Sequence, residues 1–372
     1  MDRMENPFSP GAGTRPPALI GRDEVMENAR ILLGRALLGR PERQIALVGL
    51  RGVGKTVLLR KISELSVKSK YHSVYFEIDD GFDFLQNLVI QLRSILIKMS
   101  RTGFLSNGVR YAWSALKAFA RSFNIKYQDF EFGMEIPESD GTTDSGIMDS
   151  DLSNLFLCVG NAAKENKTGI AILVDEMQFI KKDICSALLM AIHRVQQEEM
   201  PIILICAGLP DLYRVIGESK SYAERLINFY FIGPLKKDEV SNAIRIPLRE
   251  KNIEIEDDAL EEIYNKTQGY PYFLQEWGYN VWNCAKNNTI LKSDVLCANE
   301  ISIENLDRGF FKMRFERLSN GEREFIYAMA SLGKGPYKIK DVALLLKKNV
   351  NSVSPIRSKK SLKSGTVNSI IA

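Results

Sequence analysis

The 372-residue chain is 45% hydrophobic and 26% charged with a formal net charge of +4, which describes a globular protein with apolar material for two or three domains. No apolar run reaches the roughly 18 residues of a bilayer span, and the opening MDRMENPFSPGAGTRPP holds no apolar signal segment, so a cytoplasmic protein with no membrane partner and a flexible leader over 1–17 is expected. Two histidines, His72 and His193, give little material for zinc or histidine chemistry, and five scattered cysteines without a C-x-x-C pair read as small core hydrophobes in a reducing compartment.

Residues 18–39 predict a short lead into an amphipathic helix with Val25, Ala29, Leu32 and Leu33 on one face. The stretch QIALVGLRGVGKTVLLRKI, 44–62, then runs from an unbroken apolar segment, fit for a buried parallel strand, through a glycine-rich turn into helical spacing. Bare backbone amides beside the positive end of a helix dipole form a receptor for an anion. Gly49, Gly54, Lys55 and Thr56 fit G-x-x-x-x-G-K-[ST], the phosphate loop of P-loop nucleotidases. In that pattern the N–H groups of Gly52, Val53 and Gly54 cradle phosphate oxygens, Lys55 reaches the β and γ phosphates, and the Thr56 hydroxyl ligates Mg²⁺. No N-K-x-D base-reading segment occurs, which favours ATP over GTP.

A second strand is expected at about 72–80, a helix over 84–99, and another over 104–122 whose aromatic residues Phe104, Tyr111, Trp113 and Phe119 read as core. Residues 127–163 carry eight acids and no Lys or Arg, and ESDGTTDSGIMDSD has the composition of a loop, so a helical and acidic insertion is expected at about 100–150. The segment GIAILVDEMQFI predicts a buried strand with Asp175 and Glu176 at its C-terminal edge, where ligands bind in open α/β sheets. Asp175 suits the carboxylate that holds Mg²⁺ through water, and Glu176 is placed to orient or deprotonate an attacking water. A helix over 180–198, a strand over 201–207 and a fifth strand in INFYFIGPL complete an alternation that implies an α/β fold, a parallel sheet sandwiched by helices. Past Pro234 the pattern is helical over 237–250, 257–267 and 271–286. The core is therefore placed at 18–234, a helical lid at 235–290 and a connecting helix at 291–318.

Residues 319–372 form the last unit. Three short helices are expected over 319–363, the first capped by Ser319 or Asn320 with Glu322 in its first turn. From 334 onward, eight lysines and Arg357 stand against Asp341 alone, a net of +8, which makes the tail the candidate for a polyanion. The helix KIKDVALLLKK followed by the basic SVSPIRSKKSLK resembles the helix-turn-helix core of a winged-helix domain. That resemblance implies DNA binding through Arg357, Lys359 and Lys360. A winged helix also needs a β-hairpin, and SGTVNSIIA supplies too few residues, so the domain reads either as a truncated or frame-shifted version of a longer one or as a hairpin-less domain.

Taken together, ALIGRDE, GLRGVGKT, ILVDEMQ, SYAERLINFYFIGPL and TQGYPYFLQEWG resemble the AAA+ ATPases of the origin-recognition-complex-like group and their STAND relatives. The resemblance implies that Ile20, Gly21 and Arg22 pack on adenine, that Pro271 in the lid motif Gly269-Tyr270-Pro271 lies near it, and that Arg225 acts as an arginine finger on the γ phosphate. An arginine finger used by a neighbouring subunit implies ATP-dependent self-association. The strand at 201–207 departs from the group by ending in Cys206, Ala207 and Gly208 where a polar water-positioning residue is usual, and Gln178 is the candidate substitute. Two readings follow: a slow Mg-ATP-dependent switch, and a nucleotide-loaded scaffold that does not turn over.

Overall fold

The computed structural model describes residues 1–11, 13–100, 106–125, 146–333 and 338–358. In chain order the elements are α1 (Asp23–Leu37), β1 (Gln44–Val48), α2 (Lys55–Lys68), β2 (Tyr71–Glu77), α3 (Phe84–Ser100), α4 (Asn107–Ser122), α5 (Met148–Glu165), β3 (Gly169–Asp175), α6 (Lys182–Gln197), β4 (Ile202–Gly208), α7 (Leu212–Ser219), α8 (Ala223–Leu226) and β5 (Ile227–Phe231). There follow α9 (Lys237–Arg249), β6 (Glu254–Ile255), α10 (Asp257–Thr267), α11 (Pro271–Cys284), β7 (Thr289–Ile290), α12 (Lys292–Leu306), a π-helical turn at Asp307–Phe311, α13 (Lys312–Glu316), α14 (Asn320–Ser331), α15 (Ile339–Leu345) and α16 (Val350–Ser358).

β1 to β5 form one parallel sheet in the order β2-β3-β4-β1-β5. Every residue of β1, β3 and β4 is buried, because these strands are central and covered on both faces. Alternate residues divide between two cores. Ala46, Val48, Ile172, Val174 and Leu204 face the helices of the α3–α7 side. Ile45, Leu47, Leu173, Ile203 and Ile205 face α1, α2 and the helices after β5. Fully burying one such aliphatic side chain contributes about 1.5–3 kcal/mol, so the sheet is the rigid part of the molecule. Gln44, 1% exposed, locks the N-terminal edge by accepting a 2.6 Å hydrogen bond from the Leu204 N–H.

Five strands in the expected places confirm the α/β fold read from the sequence. Trp113 and Phe119 of α4 are core, whereas Tyr111 is exposed, because residues 111 and 113 are too far apart around a helix to share its buried face. Phe104 and the acids from Asp129 to Asp144 lie outside the described residues. The reading of all five cysteines as core is corrected: Cys297 is exposed, and its Sγ lies 2.9 Å from that of Cys284, joining α12 to α11.

The three tail helices enclose a small core of Leu318, Phe325, Ile326, Val342 and Val353. Glu322 caps α14 as expected, accepting from the Ser319 N–H at 2.8 Å. Arg357 falls within α16, whereas its side chain, Lys359, Lys360 and the segment after them lie outside the described residues.

Candidate functional site

The parallel register brings the chemistry to one edge. Val48 of β1 lies beside Gly208 of β4, and Cys206 of β4 beside Val174 of β3, so the loops leaving β1, β3 and β4 emerge together. The loop after β1 is held by backbone alone at its start: the Gly49 N–H donates to the Gly208 carbonyl at 3.2 Å. A Cβ on Gly49 would stand 2.1 Å from the Ile232 carbonyl oxygen, which excludes any other residue without backbone movement. Gly52 and Gly54 take φ of +87° and +92°, values that glycine adopts without penalty, and the chain then enters α2 at Lys55.

Lys55 is 5% exposed and donates to the Leu50 carbonyl at 2.9 Å. Burial lowers its pKa, and Glu176 and Asp175 oppose that shift electrostatically, so the ammonium lies within electrostatic reach of the two carboxylates. Arg22 ties the loop to its surroundings by donating to the carbonyls of Val53 at 3.3 Å and Gly233 at 2.7 Å. Burial lowers its pKa as well, with Glu239 opposing.

Asp175, 1% exposed, accepts from the Tyr75 hydroxyl at 3.0 Å and from the Glu176 N–H at 2.9 Å. The second bond accompanies a left-handed Glu176, φ +53°, a conformation that a non-glycine residue takes only when its surroundings hold it there. The Gln178 amide donates to the Glu176 carboxylate, while its oxygen accepts from the Leu209 N–H at 3.1 Å. Gln178 therefore stands at the end of β4, where the strand itself offers only Cys206, Ala207 and Gly208. A Cβ on Gly208 would come within 2.5 Å of the Gln178 oxygen, so the glycine makes that seat.

The lid meets the loop directly. Gly269, φ +73°, is the only residue type that fits against the Leu235 carbonyl oxygen, 2.0 Å from where a Cβ would lie. Beyond it the Tyr270 hydroxyl donates to the Arg51 carbonyl, and the Tyr272 N–H donates to that of Gly52 at 3.2 Å.

A cleft of about 1010 Å³ opens between these parts. Of the residues read from the sequence, Ile20, Arg22, Gly52, Val53, Gly54, Lys55, Thr56, Glu176 and Pro271 line it. Asp175 is buried behind Glu176, and Gly49 and Gly21 shape the walls from behind, Gly21 by leaving room for the Glu239 carboxylate. Arg225 is not brought to the site within one chain. It sits on α8, just before β5 begins level with Gln44, at the sheet edge opposite the loop. Sequence reasoning passed over Tyr75 and the far wall of the cleft, built by Phe310, Met313, Arg314 and Arg317. Tyr75 carries one signal: it lies two residues before Glu77, the register partner of Asp175.

A family model described as an ATPase domain predominantly from Archaea matches residues 33–277, and one described only as a domain of unknown function matches residues 308–369. No curated protein matches the chain. Among solved structures, the Walker-type ATPase of Pyrococcus abyssi is 15% identical, with 97% of this chain and 99% of that chain covered and a TM-score of 0.57. The RuvB Holliday junction branch migration motor of Thermotoga maritima is 17% identical over 91% of this chain and 87% of that one, with a TM-score of 0.45. The Orc1 protein of Aeropyrum pernix, solved in complex with DNA, is 13% identical over 94% and 85%, also with a TM-score of 0.45. The Pyrococcus likeness shows a shared fold.

Proposed function

The chain belongs to the family of ATPase domains found predominantly in Archaea, and from that premise we propose that it binds Mg-ATP in the cleft and hydrolyses it slowly, as a nucleotide-dependent switch. The observation that carries this reading is the convergence of a buried Lys55 and a conformationally restrained Glu176 on one cleft, with Asp175 buried next to Glu176.

The cleft's donors fit a nucleotide phosphate chain: the amides of Gly52 to Gly54, Lys55, and the buried Nε of Arg51, which no acceptor among the described residues satisfies. Among the described residues no group of three or more His, Cys, Asp or Glu could hold a metal. A divalent ion would therefore take most ligands from phosphate and water, as Mg²⁺ prefers, with Thr56 and Asp175 as the protein's share. Mg²⁺ would neutralise charge on the phosphates. Glu176 is the group that orients or deprotonates the attacking water, and Gln178 fixes the Glu176 carboxylate. Ile20, Gly21, Arg22 and Pro271 form the adenine side.

Slow turnover follows from the end of β4, where Gln178 already spends its amide on Glu176 and Leu209 and has little left for a water. Arg225, remote within one chain, suits action on a neighbouring subunit and hence ATP-dependent self-association. We assign 18–234 to the ATPase core, 235–290 to the STAND-like lid with its Gly269-Tyr270-Pro271 motif, 291–318 to a connection, and 319–372 to a winged-helix-like domain that engages DNA. A cytoplasmic location accords with the observation that, among the described residues, no helix is long and apolar enough to cross a membrane.

Isothermal titration of Mg-ATP into the wild type and Lys55→Ala tests the reading. A loss of affinity of about a hundredfold is expected for removal of a buried charged partner of phosphate. Equal affinities would overturn it. Phosphate release in a single turnover separates the switch from the non-hydrolysing scaffold: release supports the switch, and its absence with binding intact leaves the scaffold.

A further inference from the structure

After the lid the chain returns to the mouth of the cleft. The π-helical turn at Asp307–Phe311, α13 and the residue after it bring Gly309, Phe310, Met313, Arg314 and Arg317 into the lining of the cleft that Lys55 also lines. Aromatic stacking fixes this return. Tyr272, whose N–H holds the Gly52 carbonyl, stacks on Phe310 with ring centres 4.9 Å apart and planes at 23°, and Phe273 meets the same ring edge-on at 5.8 Å. The Arg314 guanidinium lies 3.4 Å over the other part of that assembly, the Phe310 ring centre. A planar cation stacked on an aromatic face keeps its N–H donors in the plane, directed sideways, which suits it to phosphate oxygens.

The electrostatics point the same way. Among the described residues the cleft is lined by six cations, Arg22, Arg51, Lys55, Arg60, Arg314 and Arg317, against the carboxylates of Glu77, Asp79 and Glu176. That imbalance calls for a ligand with several negative charges. The Arg314 pKa is pulled down to about 10, chiefly by burial, with the neighbouring cations Arg51 and Arg317 adding to the shift and Tyr270 and Tyr272 opposing it. An anion between the two walls would relieve that crowding of like charge. The loop amides and Lys55 account for one side of a phosphate chain, and among the described residues after the lid Arg314 and Arg317 are the cations that line the cleft.

We propose that Arg314 is a further nucleotide-contacting residue, carried by the 307–316 segment to the terminal phosphate of ATP, so that this segment distinguishes ATP from ADP and passes the difference to the helices beyond it. The proposal rests on the Mg-ATP reading of the cleft. It gives the switch a physical path: the segment that touches phosphate is continuous with α14, and the second matched family begins within it, at residue 308.

The test uses the full chain and compares a non-hydrolysable ATP analogue with ADP. Arg314→Met keeps an unbranched stem against Phe310 and removes the charge. The analogue should bind about tenfold more weakly to it, the loss of one charge-assisted contact, while ADP affinity stays within about twofold. Arg314→Lys should recover part of the loss, because an ammonium retains the charge without the planar fork. A purely structural role would weaken both nucleotides together, and that result, or no change in either, overturns the proposal. Lys55→Ala is the control for the underlying reading: if it too leaves both affinities unchanged, the cleft assignment fails, whereas a loss there with an unchanged Arg314→Met ratio fails Arg314 alone. Hydrogen exchange on the wild type decides the coupling and does not depend on a variant folding. Amides of 307–317 should be protected more by the ATP analogue than by ADP, and equal protection refutes the segment's role.

Discussion

The two ends of the central sheet are built from the same strands and differ in what they do with backbone. At the N-terminal edge the Gln44 side chain satisfies the Leu204 N–H, and Arg225 stands in solvent on a four-residue helix. At the C-terminal edge the strands stop while their loops diverge, turning through Gly52 and Gly54 at positive φ and holding Glu176 in a left-handed conformation. One end closes its polar groups within the fold, and the other withholds them. Chemistry is expected where polar groups are positioned and not yet consumed, and the largest effects of substitution should therefore be confined to the C-terminal edge.

The sharpest test of that asymmetry is Glu176→Gln. The amide keeps the shape of the side chain and removes the base, so nucleotide affinity should hold while turnover falls by about 10² or more, measured as phosphate release under saturating Mg-ATP. Arg225→Ala, at the other edge, should leave affinity unchanged, and any loss of turnover in it should grow with protein concentration if a neighbouring subunit uses the residue. Equal losses from both substitutions in dilute chain would break the comparison.

A smaller effect, on stability, is expected at the joint between sheet and lid. Gly269→Ala places a methyl group 2.0 Å from the Leu235 carbonyl oxygen at a φ of +73°, where both the clash and the backbone oppose it. A cost of about 2–3 kcal/mol is expected, read as a lower urea midpoint with an unchanged slope. Gly54→Ala has a φ of +92° with nothing within 4 Å of the added Cβ, so only the backbone term of about 1–2 kcal/mol applies. If the two cost the same, the lid does not bear on Leu235 as described.

The sheet was legible because its strands are covered on both faces: IALV, GIAILV and IILICA can be nothing but buried, and the loops that follow carry the charged and glycine residues. The helices after Pro234 were legible for the same reason in period 3.6, and the expected 237–250, 257–267 and 271–286 differ from the observed helices by two residues at most. The far wall was not legible. Arg314 reads as an ordinary exposed cation in FFKMRFERLS, and it is the packing of Tyr272 and Phe273 on Phe310, joining residues far apart in sequence, that carries it to the cleft. The Cys284–Cys297 contact was hidden likewise, since 13 residues separate the two and α11 and α12 must first pack side by side. Gln178 was legible as a candidate because the polar residue expected at the end of β4 was absent. Its hydrogen bonds to both Glu176 and Leu209 depend on the left-handed turn at Glu176, which no local preference for that residue foretells.

The least effect is expected in the tail, whose described helices share a core of a few residues and whose sequence is strongly basic. Leu344 is 81% exposed and Tyr327 63%, so the three helices leave apolar surface uncovered beside the lysines. If the tail engages DNA, the attraction begins as counterion release, and log affinity should fall linearly with log salt at about 0.9 per phosphate contacted. Replacing Arg357 and Lys360 together with alanine should make that slope shallower by roughly two if each meets one phosphate, while weakening binding alike across sequences, because phosphate contacts carry no base information. Duplex DNA titrated at two salt concentrations into the full chain and into a chain ending at Leu318 measures both quantities. Binding confined to the full chain, with the slope change in the double variant, would place the polyanion site beyond the segment that touches nucleotide and make DNA affinity the natural readout of the switch. Equal binding by both chains would return the DNA contact to the ATPase core, and an unchanged slope would leave the tail's charge serving solubility alone.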